Sequence, residues 1–199
     1  SLGGAIKAYE QIINHPDNSE EVIKIKEKAI YSLARIFSNK KLADELITLL
    51  ENILPILQEI PQKSKTAKIV RTIFDFTTKI PGNEEKLIEM CQKITKWCEE
   101  NKRTFLRHRI QTKLCELLYK QHRYTESLEL LDKLLNEMKK LDDKNMLVEI
   151  QLIESQVYHA IHNIPKAKAS LTAVKTASTS IYVVPILQAQ IDMQSGIIS

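Results

Sequence analysis

Apolar residues recur at spacings of three and four along almost the whole chain, which is the period of a helix with one buried face. Prolines, glycines and short polar runs interrupt this pattern and mark the ends of the segments. The pattern predicts about ten helices with connections of roughly two to six residues, and such short connections make neighbouring helices antiparallel. In chain order the helices lie at about 5–14, from Asn18 to the break at Asn39-Lys40, from Leu42 to Pro61, from Pro61 to Ile80, and at 84–100, 103–121, 124–141, 145–162, 165–178 and from Pro185 onward.

Individual residues predict where several of these helices begin and end. Asn18 and Glu21 have the spacing of a capping box at the start of the second helix. Gly82 suits the left-handed residue that ends a helix, and Asn83 suits the N-cap of the next helix. The second helix is then expected to bury one stripe, made of Val22, Ile25, Ala29, Leu33 and Ile36.

Strand signals are nearly absent. The chain has four glycines, and Gly82 is the only one between Ala5 and Ser195. Hairpin turns and phosphate-binding loops need glycine, because their backbones require φ > 0 or a close approach to an anion. The best strand candidate, Ser180–Val184, ends at Pro185 and is better interpreted as a linker between helices. The fold class is therefore all-α, which argues against nucleotide-binding loops, dinucleotide-binding fingerprints and nucleophile elbows.

The helices repeat with a period of about 40 residues. When the helix pair 103–141 is placed over the pair 143–178, the small residue Ser127 aligns with Ala167. Small residues at this position let the two helices of a pair approach closely. The spacing is tetratricopeptide-like and predicts a right-handed α-solenoid of stacked antiparallel helical hairpins. We expect one solenoid over residues 1–199, in which each hairpin buries its apolar stripe against its neighbours.

The formal net charge is +4 and the isoelectric point is near 8.8, so the chain is only mildly basic. The densest basic stretch lacks interleaved aromatic residues, which argues against nucleic-acid binding. A basic flank of this kind faces either an acidic protein surface or solvent. The candidate partner-binding residues are Lys102, Arg103, Arg107, Arg109 and Lys113.

An odd number of cysteines, three, indicates a reducing compartment. Cys91 and Cys98 stand on one predicted helix about 10 Å apart along its axis, which exceeds the separation that a disulfide tolerates. They align with Ile94 and Trp97, so we expect both thiols to be buried in the core. No stretch approaches the length of a membrane span, and no signal segment opens the chain. The chain begins without methionine and ends on Ile197-Ile198, which suggests a fragment of a longer protein.

No group of residues has the composition of an active site. His159 and His162 lie at i and i+3 on one helix, but no third ligand stands at a metal-binding spacing nearby. The adjacent carboxylates Asp142 and Asp143 diverge in direction and suit a solvated helix end. Trp97 is expected to anchor packing between helices. We therefore predict a protein that is not an enzyme and uses no metal, cofactor or small-molecule substrate.

The second half of the chain carries segments that point to one family. They are 102–107 (KRTFLR), 139–144 (KKLDDK), 147–155 (LVEIQLIES), 158–160 (YHA), 165–172 (PKAKASLT), 181–182 (IY), 188–189 (QA) and 191–197 (IDMQSGI). Together they resemble the non-ATPase regulatory subunit 11 family of the 26S proteasome, whose members are lid subunits with a helical solenoid before a PCI domain. The likeness covers about 102–198, and over 1–101 it rests on the helix pattern. Val183-Val184-Pro185 departs from the Cys-Pro-Pro that is usual in the family.

The resemblance implies a non-catalytic scaffold in ubiquitin-dependent protein degradation. In that family the solenoid bridges the α-ring of the core particle and the ATPase ring, and the PCI domain joins the lid subunits. The expected partners are therefore other proteasome subunits, with no nucleic acid and no membrane, and the expected location is the cytoplasm and nucleus. The PCI domain is absent from this chain, so we expect the last helix to expose Leu187, Ile191 and Ile198 where a partner helix is missing.

Two other scaffold functions stay open at this point. Subunit two of the COP9 signalosome has the same architecture, but it is not expected to carry the segments 151–155 (QLIES) and 192–196 (DMQSG). A generic tetratricopeptide-type adaptor would bind short peptides in its concave groove. Such an adaptor needs Asn, Lys and Arg repeating about every 40 residues on its inner helices, and this pattern is not found here.

Overall fold

The structure is a computed structural model that describes residues 1–199. Ten α-helices contain 81% of the residues and there is no strand, which confirms the predicted all-α class. Ser180–Val184 is a linker, as expected. The helices are α1 Leu2–Ile13, α2 Glu20–Asn39, α3 Ala43–Gln58, α4 Lys63–Thr78, α5 Glu84–Glu100, α6 Thr104–Lys120, α7 Tyr124–Leu141, α8 Lys144–Ala160, α9 Ile164–Ser178 and α10 Pro185–Ile198.

Helix α2 differs from its prediction at both its start and its buried face. Its N-cap is Ser19, and the predicted capping box at Asn18 and Glu21 is wrong. The Asn18 side chain instead accepts a hydrogen bond of 2.7 Å from the ammonium group of Lys26, which is 2% exposed. Ile25, which was expected in the stripe, is 54% exposed. Ala29 and Leu33 of the predicted stripe are buried, and the full buried set of α2 is Ile23, Lys26, Ala29, Ile30, Leu33, Ala34 and Phe37.

Six of the nine turns between helices contain a left-handed residue. Gly82 has φ +85°, as predicted, but α4 already ends at Thr78 with Lys79 as its C-cap, so Gly82 lies in the following turn and does not end the helix. Asn83 occupies the N-cap position of α5, but its side chain donates to the Pro81 carbonyl at 3.1 Å and does not cap the helix. Five residues other than glycine also adopt the left-handed conformation, with φ between 52° and 62°. They are Lys41, Lys102, His122, Asp142 and His162.

Each of these left-handed residues closes a helix in the same way. The backbone N–H of the next residue bonds a carbonyl five positions back, as from Arg103 to Cys98 at 2.8 Å and from Asn163 to Tyr158 at 2.8 Å. This 6→1 backbone hydrogen bond defines a Schellman motif, which satisfies carbonyls that have no hydrogen-bond partner within the helix. From Lys102 to His162 the conformation returns every 20 residues, so two such turns fall within each predicted 40-residue repeat.

The first compact unit is Ser1–Arg107, which contains α1 to α5 and the start of α6. In it α1 packs on α2, α2 and α3 pack on each other and on α4, and α4 contacts α5. The helices meet through branched side chains with no exposed surface, as expected for a close-packed core. They include Ile30, Leu46, Leu50, Ile53, Ile69, Ile73 and Ile94.

The second compact unit is His108–Ser199, in which α8 contacts α7, α9 and α10. Ile150 and Val157 of α8 belong to a cluster with residues of α7, and Val148 of α8 belongs to a second cluster with residues of α9 and α10. The boundary between the two units falls inside α6. One right-handed solenoid over the whole chain stays a prediction.

The small residues of the repeat lie where two helices approach. Ser127 and Ala167 have no exposed surface, which confirms the sequence prediction. The Ser127 hydroxyl donates to the Cys115 carbonyl at 3.0 Å, and the Ser155 hydroxyl donates to the Ala167 carbonyl at 2.8 Å. Hydrogen bonds between the helices of a pair therefore accompany the close approach.

The exposed apolar residues of α10 are not the predicted ones. Ile191 and Ile198 are 2% and 5% exposed, and Leu187 packs partly buried against the same cluster of α8, α9 and α10 side chains. The prediction that these three residues are exposed is wrong, because α8 and α9 already cover that face. The exposed apolar side chains of this helix belong to Ile186, Met193 and Ile197.

Candidate interaction surfaces

The residues considered for metal binding or catalysis lie apart from one another or inside the core. No three His, Cys, Asp or Glu side chains come together in a way that could hold a metal ion. No helix combines the length and the apolar character needed to cross a bilayer. His162 is exposed at the left-handed turn after α8, and His159 is half-buried one turn earlier.

The cysteines are buried thiols. Cys91 and Cys98 form no disulfide and have at most 1% exposed surface, which confirms their predicted core position. Burial raises the pKa of Cys98 to about 12, although the positive charge of Arg107 acts in the opposite direction. Trp97 belongs to the same helix, α5, and is 7% exposed. A thiol with so high a pKa is protonated at neutral pH and is therefore a poor nucleophile.

The predicted basic residues in the first unit occupy three different environments. Lys102 is exposed and has the left-handed conformation. Arg107 is half-buried near Cys98. Arg103 is 8% exposed and lies over the ring of Trp97, with 5.8 Å from the guanidinium carbon to the ring centroid. The partner-binding role assigned to these residues stays a prediction, and the described contacts of Arg103 are internal.

The guanidinium of Arg103 closes the end of α3. Its Nη2 donates to the carbonyls of Leu57 at 3.4 Å and Ile60 at 3.3 Å, which lie at and just beyond the last turn of that helix. The last carbonyls of a helix have no partner within it, so a buried cation at this position satisfies them. Arg103 thus links the start of α6 to the end of α3 in the first unit.

Lys102 and Arg103 also line a cavity of about 430 Å³ in the first unit. The cavity lies between the first turn of α4, which contributes Lys63, and the first turn of α6, which contributes Phe105. The Lys63 ammonium group donates to the Lys102 carbonyl at 3.4 Å and so joins the two turns.

The predicted basic residues in the second unit are Arg109 and Lys113. Both line a groove of about 280 Å³ between α6, α8 and α10. Arg109 is paired with Glu149 across the groove at 3.3 Å, and both side chains are about one third exposed. At the rim, Val184 and Ile186 are exposed apolar side chains. This groove therefore combines an ion pair at its side with apolar residues at its edge.

Sequence reasoning missed Lys63 and Glu149, which complete the two sites. Lys63 is the first residue of α4, and one repeat later Arg103 immediately precedes the first residue of α6. The 40-residue offset that aligned Ser127 with Ala167 also aligns Lys63 with Arg103, and this alignment could have identified Lys63 as a candidate. The same offset aligns Arg109 with Glu149, but it does not show that their side chains pair, because this depends on how α8 faces α6.

These features define an all-α protein of repeated helical hairpins, with basic residues at two of its cavities and no cluster of side chains that could hold a metal ion. Its residues 2–121 match the model of the 26S proteasome regulatory subunit RPN6 N-terminal domain. The chain therefore belongs to the RPN6 family of 26S proteasome regulatory subunits, and the resemblance seen in the sequence is confirmed.

Curated relatives agree with the family assignment. Over 98% of this chain, 44% of residues are identical to a 26S proteasome non-ATPase regulatory subunit 11 homolog of Arabidopsis thaliana. The same coverage gives 44% identity to a 26S proteasome non-ATPase regulatory subunit 11 of Dictyostelium discoideum. A probable 26S proteasome regulatory subunit rpn6 of Schizosaccharomyces pombe is 40% identical. The chain spans 46% of the length of each of these relatives.

Proposed function

We propose that this chain is part of a non-catalytic scaffold subunit of the proteasome regulatory particle lid and acts in ubiquitin-dependent protein degradation. Membership in the RPN6 family, through residues 2–121, is the observation that carries the proposal. The names of the relatives support it, since they describe regulatory subunits of the proteasome. The arrangement of buried cysteines and paired charges fits a binding protein better than a catalyst.

Within this function we propose a bridge between the α-ring of the core particle and the ATPase ring, with the other lid subunits as further partners. The bridge rests on the likeness of residues 102–198 to lid solenoids and on the basic residues around α6. Lys102 and Lys113 would face acidic surfaces of these partners, which steers association by charge complementarity. The expected location is the cytoplasm and nucleus, where the partners would be found.

The proposal is tested by tagging the full-length protein in its own cells and purifying it under gentle conditions. The eluate is assayed for ATP-stimulated peptide hydrolysis, and its subunits are identified by mass spectrometry. Peptidase activity with α-ring and ATPase subunits in the eluate supports the proposal. Signalosome subunits without peptidase activity, or neither set, would contradict it. An untagged strain carried through the same steps controls for proteasomes that bind the resin.

A further inference from the structure

Two helices begin side by side at the cavity of the first unit. Ser64 lies in the first turn of α4, and Thr104 is the first residue of α6. The N–H groups of a first turn have no partner within their helix, and they carry the positive end of the helix dipole. Gln62, the N-cap of α4, gives that helix no side-chain hydrogen bond. The cavity is therefore bordered by backbone donors that suit an anion.

The charged residues that line the cavity are all positive. They are Lys63, Lys102 and Arg103, and no Asp or Glu belongs to the lining. Lys63 and Lys102 are exposed, so their ammonium groups can turn towards a ligand. Several other surface lysines stand beside acidic partners, as in the pair of Lys86 with Asp44 at 2.6 Å. At this cavity no protein carboxylate provides the negative charge.

The buried side chain of Arg103 is an independent observation that points to an anionic ligand. It is more than nine-tenths buried, and its Nη2 is occupied by the two carbonyls at the end of α3. Its Nη1 is buried and has no hydrogen-bond partner. A buried donor of a charged group that lacks a partner is costly, and in native proteins such groups call for an explanation. An anion held in the cavity that Arg103 lines would compensate this charge.

The remaining wall of the cavity is apolar. Phe105 is 59% exposed although it is a large aromatic residue, and Ala67 and Leu106 complete the apolar part. An exposed aromatic side chain next to a cationic cavity favours a ligand in which an anionic group is attached to an apolar carrier. Free inorganic phosphate would leave the Phe105 ring in water.

We propose that this cavity binds the phosphoryl group of a phosphorylated side chain on a partner protein, with Phe105 packing against the carrier of that group. A phosphoryl group has a charge of about −1.5 to −2 at neutral pH and three strong acceptor oxygens. It therefore matches three cations and two helix starts better than a single carboxylate does. The site goes beyond the proposed bridging function and does not depend on it, because the argument uses only the contacts within Ser1–Arg107.

The test is a titration of the isotopically labelled protein followed by amide chemical shifts. The probes are phenyl phosphate, inorganic phosphate and benzoate at the same ionic strength. We expect phenyl phosphate to shift the amides of Ser64, Thr104 and Phe105 with saturation, and to bind about fivefold more tightly than either other probe. The double variant Lys63→Gln and Lys102→Gln should weaken its binding by about fivefold.

A matched control is the double variant Lys40→Gln and Lys41→Gln, which removes two exposed charges at a turn of the same backbone conformation after α2. It should bind phenyl phosphate as the unchanged protein does. Equal binding of phenyl phosphate by both double variants would overturn the site. Tighter binding of benzoate would overturn the phosphoryl assignment, and equal binding of inorganic phosphate would overturn the role of the carrier. None of these readouts involves proteasome assembly, so this test and that of the bridging function fail separately.

Discussion

The environment of Arg103 shows how a charged residue can act as part of a core. Its guanidinium donates to two carbonyls at the end of α3 and lies over Trp97, so the cation is buried among acceptors and an aromatic ring. A hydrogen bond to a charged group contributes about 1.5–3 kcal/mol, and a cation over an aromatic ring contributes about 0.5–2 kcal/mol. The side chain therefore stabilises the first unit through contacts with two of its helices.

Substituting Arg103→Met keeps the apolar stem of the side chain and removes its donors. We expect the free energy of unfolding to fall by about 2 kcal/mol, because two carbonyls lose their partner. The measurement is urea denaturation followed by circular dichroism. Arg35→Met is the control, because Arg35 is exposed on α2 and its substitution should change the value by less than about 0.5 kcal/mol. Equal effects of the two substitutions would contradict the role of Arg103.

The thiol of Cys98 should react only when the protein unfolds. Its pKa is raised by burial from 9.0 to about 12, so almost no thiolate exists in the folded state at pH 8. We expect an aromatic disulfide reagent to label the native protein at a rate that does not increase with reagent concentration, because opening of the structure limits the reaction. Cys91 and Cys115 are equally buried and should behave alike. A thiol that reacts at once in native buffer would contradict this account.

The same pKa has a consequence for stability at alkaline pH. Between pH 9 and 12 the unfolded state releases the Cys98 proton while the folded state keeps it. The folded state then binds more protons than the unfolded one, so this thiol makes the free energy of unfolding decrease as pH rises through that range. Below pH 9 the Cys98 thiol is protonated in both the folded and the unfolded state, so its contribution to the free energy of unfolding is fully present. In a Cys98→Ala variant this part of the alkaline loss should disappear.

At the residue scale, the sequence predicts burial well where it depends on spacing along one helix. Cys91, Cys98 and Trp97 share a face of α5 and are buried as expected. The burial of Arg103 could not be predicted, since its acceptors belong to residues 43 and 46 positions earlier in the chain. Lys26 is a similar case, because the acceptor at Asn18 becomes available only in the folded turn between α1 and α2.

Several helices are joined by turns in which a residue other than glycine adopts the left-handed conformation. His162 has φ 62° after α8, although an L-residue in this region costs roughly 1 kcal/mol or more. Its side chain is exposed, so replacing it removes no core contact. The variant His162→Gly should therefore raise the free energy of unfolding by about 0.5–1 kcal/mol, measured by thermal and urea denaturation.

The reciprocal variant is Gly82→Ala, at the turn after α4 where φ is +85°. A methyl group at this position would meet no atom within 4 Å, so the whole effect comes from the backbone conformation. We expect a loss of about 1 kcal/mol. If Gly82→Ala were neutral, or if His162→Gly destabilised the protein, the left-handed turns would not be a source of strain.

At the element scale, the repeat was predictable and the turns were not. The alignment of Ser127 with Ala167 rests on side-chain size, which the sequence shows directly. The left-handed conformation of Lys41 or Asp142 has no such signal, because the usual glycine is absent. The stripe of α2 was also displaced, since the buried face includes the stem of Lys26, which a count of apolar residues leaves out.

At the scale of the whole molecule, the proposed function depends on basic residues that reach partners. Lys102 is exposed at the turn before α6, and Lys41 is exposed after α2 in the same backbone conformation, with φ 56° against 55°. In the full-length protein, Lys102→Glu should lower the fraction incorporated into proteasomes by about threefold to tenfold at low salt, because it reverses a charge at the contact. Native gels with a peptidase overlay measure this fraction.

The control is Lys41→Glu, which makes the same change of charge in the same backbone conformation. It should leave incorporation unchanged. An equal loss for both variants would indicate a general effect of net charge and would contradict a contact at Lys102.

The family could be recognised from the motifs between residues 102 and 198, because they are long and specific. The division into two compact units between Arg107 and His108 could not, since it falls inside a continuous helix with no proline, glycine or change of composition. Such a boundary reflects tertiary packing, because the helices on each side of it pack mainly within their own unit. The pairing of Arg109 with Glu149 joins residues that the 40-residue period aligns, but the sequence does not show that their side chains meet.

The most direct test of the bridging function is cross-linking mass spectrometry on proteasomes purified through the full-length protein. A lysine-reactive reagent samples the many exposed lysines of this chain, including Lys63 and Lys102. The account predicts cross-links from residues 1–199 to α-ring subunits of the core particle and also to ATPase subunits. Cross-links from these residues to lid subunits alone, in preparations where core and regulatory particles are joined, would contradict it.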